Sequence, residues 1–254
     1  MKKLLIHTAG CTPAAGFARA RLEALGCPVT DTPSQDVTHL LLDVPSFDAG
    51  GKLRSGGDLQ NLLDSHEKSI TVCGGKLNHP ALVDYHTLDL LSDPGYLAEN
   101  AHITAEAALD LALRRLPCLL RGCDAAILGW GRIGKCLARL LRNMGAAVTV
   151  AARKETDRAL LRALGYEAVD FCELEKILSG FRLIFNTVPQ MLLPEDRIGL
   201  CREDCIKIDL ASIPGMAGPG VIAARGLPGL YKPESSGNLI AETLVRLIGK
   251  EDPQ

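Results

Sequence analysis

The sequence predicts an α/β protein with two Rossmann-like, doubly wound parallel-sheet domains joined by a long interdomain helix. Three observations carry this expectation. Short apolar runs alternate with helix-period segments along the whole chain, as they do where parallel strands are wrapped by helices. A helical stretch rich in small residues, 101–117, divides that pattern in two. Just beyond it, AAILGWGRIG (125–134) sets a G-x-G-x-x-G turn between an apolar strand and an amphipathic helix. The expected division is an N-terminal substrate or interaction domain over 1–100, the connecting helix over 101–117 and a nucleotide-binding domain over 118–236. A C-terminal helix over 237–254 is expected to pack back on the N-terminal domain. At 254 residues the chain is long enough for two compact domains.

In the first hundred residues, strands are expected at 3–8 (KLLIHT), 37–44 (VTHLLLDV), 69–73 (SITVC) and 87–91 (TLDLL). A helix over 14–25 is closed by Gly26, and another over 58–66 follows RSGGD. Loop signals collect at Gly50-Gly51, Gly56-Gly57, Gly74-Gly75 and Asp93-Pro94-Gly95. In ITAEAALDLALRRLP, Thr104 is placed to cap the helix, Glu106 sits in its first turn and Pro117 ends it. The second half reads as strand 124–128, helix 132–144 closed by Gly145, strand 147–152 and helix 155–164 closed by Gly165. Strands at 167–169, 183–186 and 206–210, a short strand near 230 and a final helix over 237–249 complete the pattern.

The net charge of −2 gives no basis for general affinity to nucleic acid or to a membrane surface. The opening MKKLLIHTAG lacks the apolar core of a leader peptide, and no run approaches the roughly 18 apolar residues of a membrane span. A cytoplasmic protein is expected. The nine cysteines include no C-x-x-C; the closest spacings are Cys118-x4-Cys123 and Cys201-x3-Cys205. They read as reduced thiols, and no metal is expected.

Each glycine of the turn has its own role. Gly129 permits the tight bend, Gly131 lets backbone approach a pyrophosphate, and Gly134 lets helix and strand pack closely. Arg132, Ile133 and the first amides of the following helix then face the phosphates. At the end of the next strand an acid would hold the ribose hydroxyls of NAD. Here VTVAARK (148–154) offers Arg153, which can fork onto a 2′-phosphate, and Lys154. NADP is favoured over NAD, although Glu155 or Asp157 filling the acid's role keeps NAD open.

Ligands of an open α/β sheet lie beyond the carboxyl ends of its strands. The loops 186–192 (NTVPQML) and 209–216 (DLASIPGM) therefore put Asn186, Thr187, Val188, Pro189, Ala211 and Ser212 beside the nicotinamide ribose. GLPGLYKPESSGN (226–238) reads as a loop whose Lys232, Ser235 and Ser236 could hold a carboxylate; Thr104 is a further candidate for substrate binding. All six histidines (7, 39, 66, 79, 86, 102) precede the nucleotide turn. His79 and Lys76, in GGKLNHP, could reach an interdomain cleft, though a core or surface role is the plainer reading of His79.

TAEAALDLAL, LGWGRIGKCLARLLRNMGAAVTVAARK, LIFNTVPQMLL, IDLASIPG and GLPGLYKPESSGNLIAETL, in this order, resemble the dipicolinate synthase A-subunit family over residues 95–248. The resemblance implies a flavodoxin-like N-terminal domain before an NADP-binding Rossmann domain. It implies oxidation of dihydrodipicolinate to dipicolinate in sporulation, with hydride transfer to NADP. It further implies a small dicarboxylate substrate and, for partner, the flavoprotein-like B subunit of that synthase; a homo-oligomer is also expected. Aromatising a dihydropyridine releases its proton easily, so a strong histidine base need not be present. Two other readings stay open. One is a two-domain NAD(P)-dependent 2-hydroxyacid-type dehydrogenase, against which stand Ser212 where such enzymes carry Arg and the lack of any His after 102. The other is a non-catalytic NADP-binding regulator.

Overall fold

The computed structural model describes residues 3–251, and the chain forms two units: residues 1–100 with 228–254, and residues 101–227. In the first unit, β1 (Ile6–Thr8), α1 (Pro13–Ala24), β2 (Val29–Thr30), β3 (His39–Leu41), α2 (Leu59–Asp64), β4 (Thr71–Gly74) and β5 (His86–Asp89) build a parallel sheet ordered β2-β1-β3-β4-β5. This is the flavodoxin-like order, in which the chain reverses direction across the sheet between β1 and β3. A strand covered on both faces reads as an unbroken apolar run, which is why HLLLDV carries no alternation. Leu41 joins Ile6, Leu22 and Leu90 on one side, while Leu40 and Leu42 join Leu63 and Val72 on the other. β2 escapes sequence reading because two residues at a sheet edge are too short for any periodicity.

The C-terminal helix, Pro233–Glu251, belongs to this first unit; the expected end at 254 lies outside the described residues. Its Ile240, Ala241 and Leu244 enter the core with Ala14, Ala18 and Leu22 of α1. Gly237 makes the approach possible: a Cβ there would lie 2.5 Å from the Ala14 carbonyl oxygen and 2.5 Å from Phe17 Cβ. Arg21–Glu242 at 2.7 Å and Arg246–Asp93 at 2.7 Å flank the packed face, where half-exposed pairs add little stability.

α3 runs Pro94–Leu113, starting seven residues before the expected 101. Asp-Pro-Gly was expected to mark a loop, but it starts the helix. Asp93 Oδ1 accepts from the Tyr96 amide at 2.7 Å, and proline is well suited to a first turn, where its missing N–H costs nothing. Thr104 therefore cannot cap this helix; it lies mid-helix and only 8% exposed.

The second unit contains β6 (Asp124–Leu128), α4 (Arg132–Asn143), β7 (Ala147–Ala151), α5 (Glu155–Ala163), β8 (Glu167–Val169), β9 (Leu183–Asn186), α6 (Glu195–Ile198), β10 (Ile206–Asp209) and β11 (Val221–Ala223). The sheet is parallel and ordered β11-β10-β9-β6-β7-β8, so the winding reverses between β6 and β9. Ala125, Ile127, Phe185 and Ile208 pack on one face with Ala105, Ala108 and Leu137, while Ala126, Leu128 and Ile184 pack on the other with Leu174 and Leu178.

Two sequence expectations fail near the C-terminus. The short strand expected near 230 is β11 at Val221–Ala223, and 226–238 is not an open loop. It holds α7 (Leu227–Tyr231) and the first turn of the last helix, α8. Pro228 and Pro233 sit in first turns, the one helical place where proline does no harm, so the same residues that signal a break here signal two starts. No helix among the described residues is long and apolar enough to cross a membrane.

Candidate functional site

The turn between β6 and α4 lies beside the reversal point of the second sheet. Gly129 adopts φ +105°, and a Cβ there would stand 2.6 Å from Thr187 Oγ1 and 2.7 Å from Val188 Cγ2. At Gly134 a Cβ would come within 2.2 Å of the Gly129 carbonyl oxygen, so the helix can rise this close to the turn only without a side chain. Gly131 differs from both. Its φ of −80° is ordinary, it is exposed, and a Cβ would meet nothing within 4 Å. It is the N-cap of α4, and no side chain caps the helix there, so the first amides open onto free space. This is a cradle that fits a dinucleotide's pyrophosphate, with the helix dipole behind it. Arg132 is exposed at the first helical position, and Ile133 packs on the core.

At the end of β7, Ala152 is buried while Arg153 and Lys154 are exposed. The backbone here is anchored from within the unit by Arg158. Its Nη1 donates to the carbonyls of Ala152 at 2.7 Å and Arg153 at 2.8 Å and also pairs with Asp170. Glu155 is gripped by Arg162 and Arg158, and these guanidiniums hold its carboxyl below the usual carboxylate range. Of the two acids that might have taken the ribose hydroxyls, Glu155 is therefore already engaged, while Asp157 is half-buried in the first turn of α5. Among the described residues the Arg153 and Lys154 side chains have no hydrogen-bond or ion-pair partner.

The loops after β9 and β10 are locked together by a polar pair that sequence reasoning missed in part. Asn186 is fully buried and Asp209 only 1% exposed, and the parallel register sets them side by side. Asn186 Nδ2 donates to Asp209 Oδ1 at 2.7 Å and to the Val188 carbonyl at 3.0 Å, while its Oδ1 accepts from the Val188 amide at 3.1 Å. Asp209 also accepts from the amides of Ala211 at 3.3 Å and Gly215 at 2.9 Å. Arg225, just after β11, lies 3.7 Å from Asp209 and donates to the Ala211 carbonyl at 2.9 Å. The Asn186 side chain is thus a brace within the protein, not a group offered to a ligand. Thr187 ties the same loop to β6, its Oγ1 donating to the Leu128 carbonyl at 2.9 Å. Val188 is half-buried and Ala211 buried, leaving Pro189 and Ser212 exposed at the loop crests. The Asn186–Asp209 and Arg225–Ala211 contacts carry no local signal, because their partners lie 23 and 14 residues apart.

Residues 106–211 match the family of the D-isomer specific 2-hydroxyacid dehydrogenase NAD binding domain. Over 159 residues the chain is 29% identical to the A subunit of dipicolinate synthase from Bacillus subtilis (strain 168), covering 59% of this chain and 54% of that protein. The matched stretch thus spans about half the length of that curated relative. The solved A subunit of dipicolinate synthase from Bacillus halodurans superposes with a TM-score of 0.85 at 20% identity, covering 100% of this chain and 99% of the other. Its Bacillus subtilis counterpart gives 0.82 at 21% identity, covering 98% and 97%. The chain is similar to the dipicolinate synthase A subunit in part of its sequence and in its fold. Its second unit carries a dehydrogenase-type NAD-binding domain, and its fold matches these relatives through both units.

The residues expected to hold substrate do not form one cluster in either unit. Thr104 belongs to the second unit and is buried; Lys232, Ser235 and Ser236 belong to the first. Ser236 is buried at 5% exposure, and its amide donates to the Lys232 carbonyl at 3.0 Å as α8 begins. Ser235 stays exposed and Lys232 half-buried. His79 is used structurally, since its Nδ1 accepts from the Ala81 amide at 3.2 Å and its ring stacks on Phe47. The Lys76 amide donates to Asp89 at 3.1 Å.

The first unit has a cleft of its own, about 380 Å³, lined by His7, Asp31, Ser55, Gly57, Asp58 and Leu62. His7 Nδ1 lies 2.9 Å from His66 Nε2, and both rings are buried. Burial, then His66, pushes the His7 pKa below its ordinary 6.5. The unfolded chain therefore takes up this proton more readily than the folded one. Stability from His7 is intact above pH 6.5 and is lost as the pH falls below that value toward the depressed folded pKa. The thermal midpoint of the first unit is expected to fall between pH 7 and 5.5, and His7→Gln should flatten that dependence.

Proposed function

We propose that the chain is an NADP-dependent oxidoreductase of the dipicolinate synthase A-subunit type, oxidising a dihydrodipicolinate-type ring to pyridine-2,6-dicarboxylate. The observation that supports it best is the end of β7, where Arg153 and Lys154 stand unpaired and exposed while Glu155 is engaged by two arginines. An NAD site favours an acid there; two free cations suit the 2′-phosphate of NADP. Gly129, Gly131, Gly134 and the first amides of α4, with Arg132 and Ile133, would hold the pyrophosphate. Thr187, Val188, Pro189, Ala211 and Ser212 would line the nicotinamide end. When bound, the dinucleotide supplies hydride acceptance. The Asn186–Asp209 brace holds the two loops at a fixed spacing, so the site needs little reorganisation on binding.

The substrate would be a small dicarboxylate, with Thr104, Lys232, Ser235 and Ser236 as the residues to probe; the partner to supply is the synthase's B subunit. A second reading, a 2-hydroxyacid-type dehydrogenase, draws support from the family match over 106–211. Oxidising a hydroxyl needs a positioned proton acceptor, and no histidine follows His102 in the sequence. NADP reduction with dihydrodipicolinate, in the presence and absence of that partner, against reduction with 2-hydroxy acids separates the two. Cofactor choice is tested by Arg153→Ala. Loss of a charge-assisted contact is worth about 1.5–3 kcal/mol, so NADPH affinity should fall tenfold or more while NADH affinity stays within about twofold. Equal losses for both coenzymes would overturn the assignment of Arg153.

A further inference from the structure

At the amino-terminal edge of the second sheet, away from the carboxyl-end turn, two thiols come together. Cys123 sits immediately before β6, and Cys118 lies outside any helix or strand. Gly122, at φ +81°, turns the chain so that residue 123 comes back beneath 118, and its amide donates to the Gly145 carbonyl at 2.8 Å. The two Sγ atoms are 3.7 Å apart. Cys118 is exposed and Cys123 buried, with the Cys123 thiol donating to the Leu119 carbonyl at 3.0 Å.

We propose that Cys118 and Cys123 form a dithiol modification site that closes to an intrachain disulfide when the protein meets a peroxide. Closure to a bond of about 2.05 Å asks the sulfurs to approach by roughly 1.7 Å, a shift the irregular segment around Cys118 can supply. The division of labour follows from access. Exposed Cys118, as its thiolate, attacks a peroxide oxygen; the O–O bond breaks, leaving a sulfenic acid on Cys118 and one water or alcohol. The Cys123 sulfur then attacks the Cys118 sulfur, the S–O bond breaks, and a second water leaves with the Cys123 proton. Each cysteine gives up one electron, and the peroxide takes both. Burial, then the Cys118 sulfur, raises the Cys123 pKa, which suits it to the second, resolving step rather than the first.

Trypsin makes the test direct, since Arg115, Arg121 and Arg132 place Cys118 and Cys123 on separate peptides, 116–121 and 122–132. The reduced full-length chain is treated with an equimolar amount of hydrogen peroxide, its remaining thiols are alkylated, and it is digested without reductant. Mass spectrometry is expected to find the two peptides joined, two hydrogens lighter than their sum, and separated again by dithiothreitol. Cys118→Ser should remove the linked species and leave NADPH affinity unchanged. In Cys123→Ser the oxidation should stop at a Cys118 sulfenic acid that dimedone traps. The proposal is overturned if both cysteines stay alkylatable while Cys11, Cys172 or the Cys201–Cys205 pair consumes the peroxide. Cys118 accumulating as a sulfenic or sulfinic acid in the wild-type chain, without the link, overturns it equally.

Discussion

Gly131→Val is expected to abolish dinucleotide binding while the protein stays folded. The two halves of that expectation have separate causes. Folding is spared because φ at Gly131 is −80° and a Cβ there meets nothing within 4 Å, so the substitution costs only the poorer N-cap propensity of valine, about 1 kcal/mol. Binding is lost because the branched side chain fills the space in front of the uncapped amides of α4, where a pyrophosphate must come close. The contrast with Gly134 is useful: a Cβ there would strike the Gly129 carbonyl oxygen at 2.2 Å, so Gly134→Ala would confuse a folding defect with a binding one. Trp130, the chain's single tryptophan, lies inside the turn and provides the readout. NADPH should change its emission in the wild type, and Gly131→Val should weaken that response at least 100-fold in concentration. Undiminished affinity in a folded Gly131→Val protein would remove the turn from the site.

The largest stability effect is expected from Asp209→Ala. The carboxylate accepts from Asn186 Nδ2 and from the amides of Ala211 and Gly215, and pairs with Arg225. Removing it leaves buried donors without an acceptor and the Arg225 charge without its partner. Half-exposed Arg225 can turn to water, but each buried donor left unsatisfied costs about 1–3 kcal/mol, and the thermal midpoint of the second unit should drop on the order of 10 °C. Asp209→Asn keeps the shape and one acceptor, so its loss should be smaller. Asn186 packs so tightly that a Cβ on Gly215 would lie 2.1 Å from its Nδ2, which leaves the neighbours little room to collapse into the vacated space. A midpoint unchanged in Asp209→Ala would show that the loops are held by something other than this brace.

Cues that act within a few residues were legible. The strands at Asp124–Leu128, Glu167–Val169 and Leu183–Asn186 have the bounds their apolar runs suggest. The G-x-G-x-x-G turn stands between strand and helix, as its glycines demand. Proline and glycine misled where their meaning depends on the residues after them. Asp93-Pro94-Gly95 starts α3, and Pro228 and Pro233 begin α7 and α8 rather than ending anything. A proline tolerated in a first turn and a proline that breaks a helix are the same residue in one dimension. Thr104 suffered from this directly, since moving the helix start to Pro94 turned an expected cap into a buried mid-helix residue.

By itself the sequence determined that this is a parallel α/β protein, where its G-x-G-x-x-G turn lies, and that two cations follow the second strand of the second unit. All three depend on spacings of a few residues, where backbone geometry alone fixes what neighbours what. Only the tertiary structure decided that Glu155 is occupied by Arg158 and Arg162, beside exposed Arg153 and Lys154. It alone set Asn186 against Asp209, His7 against His66, and Gly237 against Ala14. Such partners meet through strand register and helix packing between segments from 23 to more than 200 residues apart. No local pattern encodes them, because a side chain's hydrogen-bonding capacity says what it needs and the fold says who supplies it.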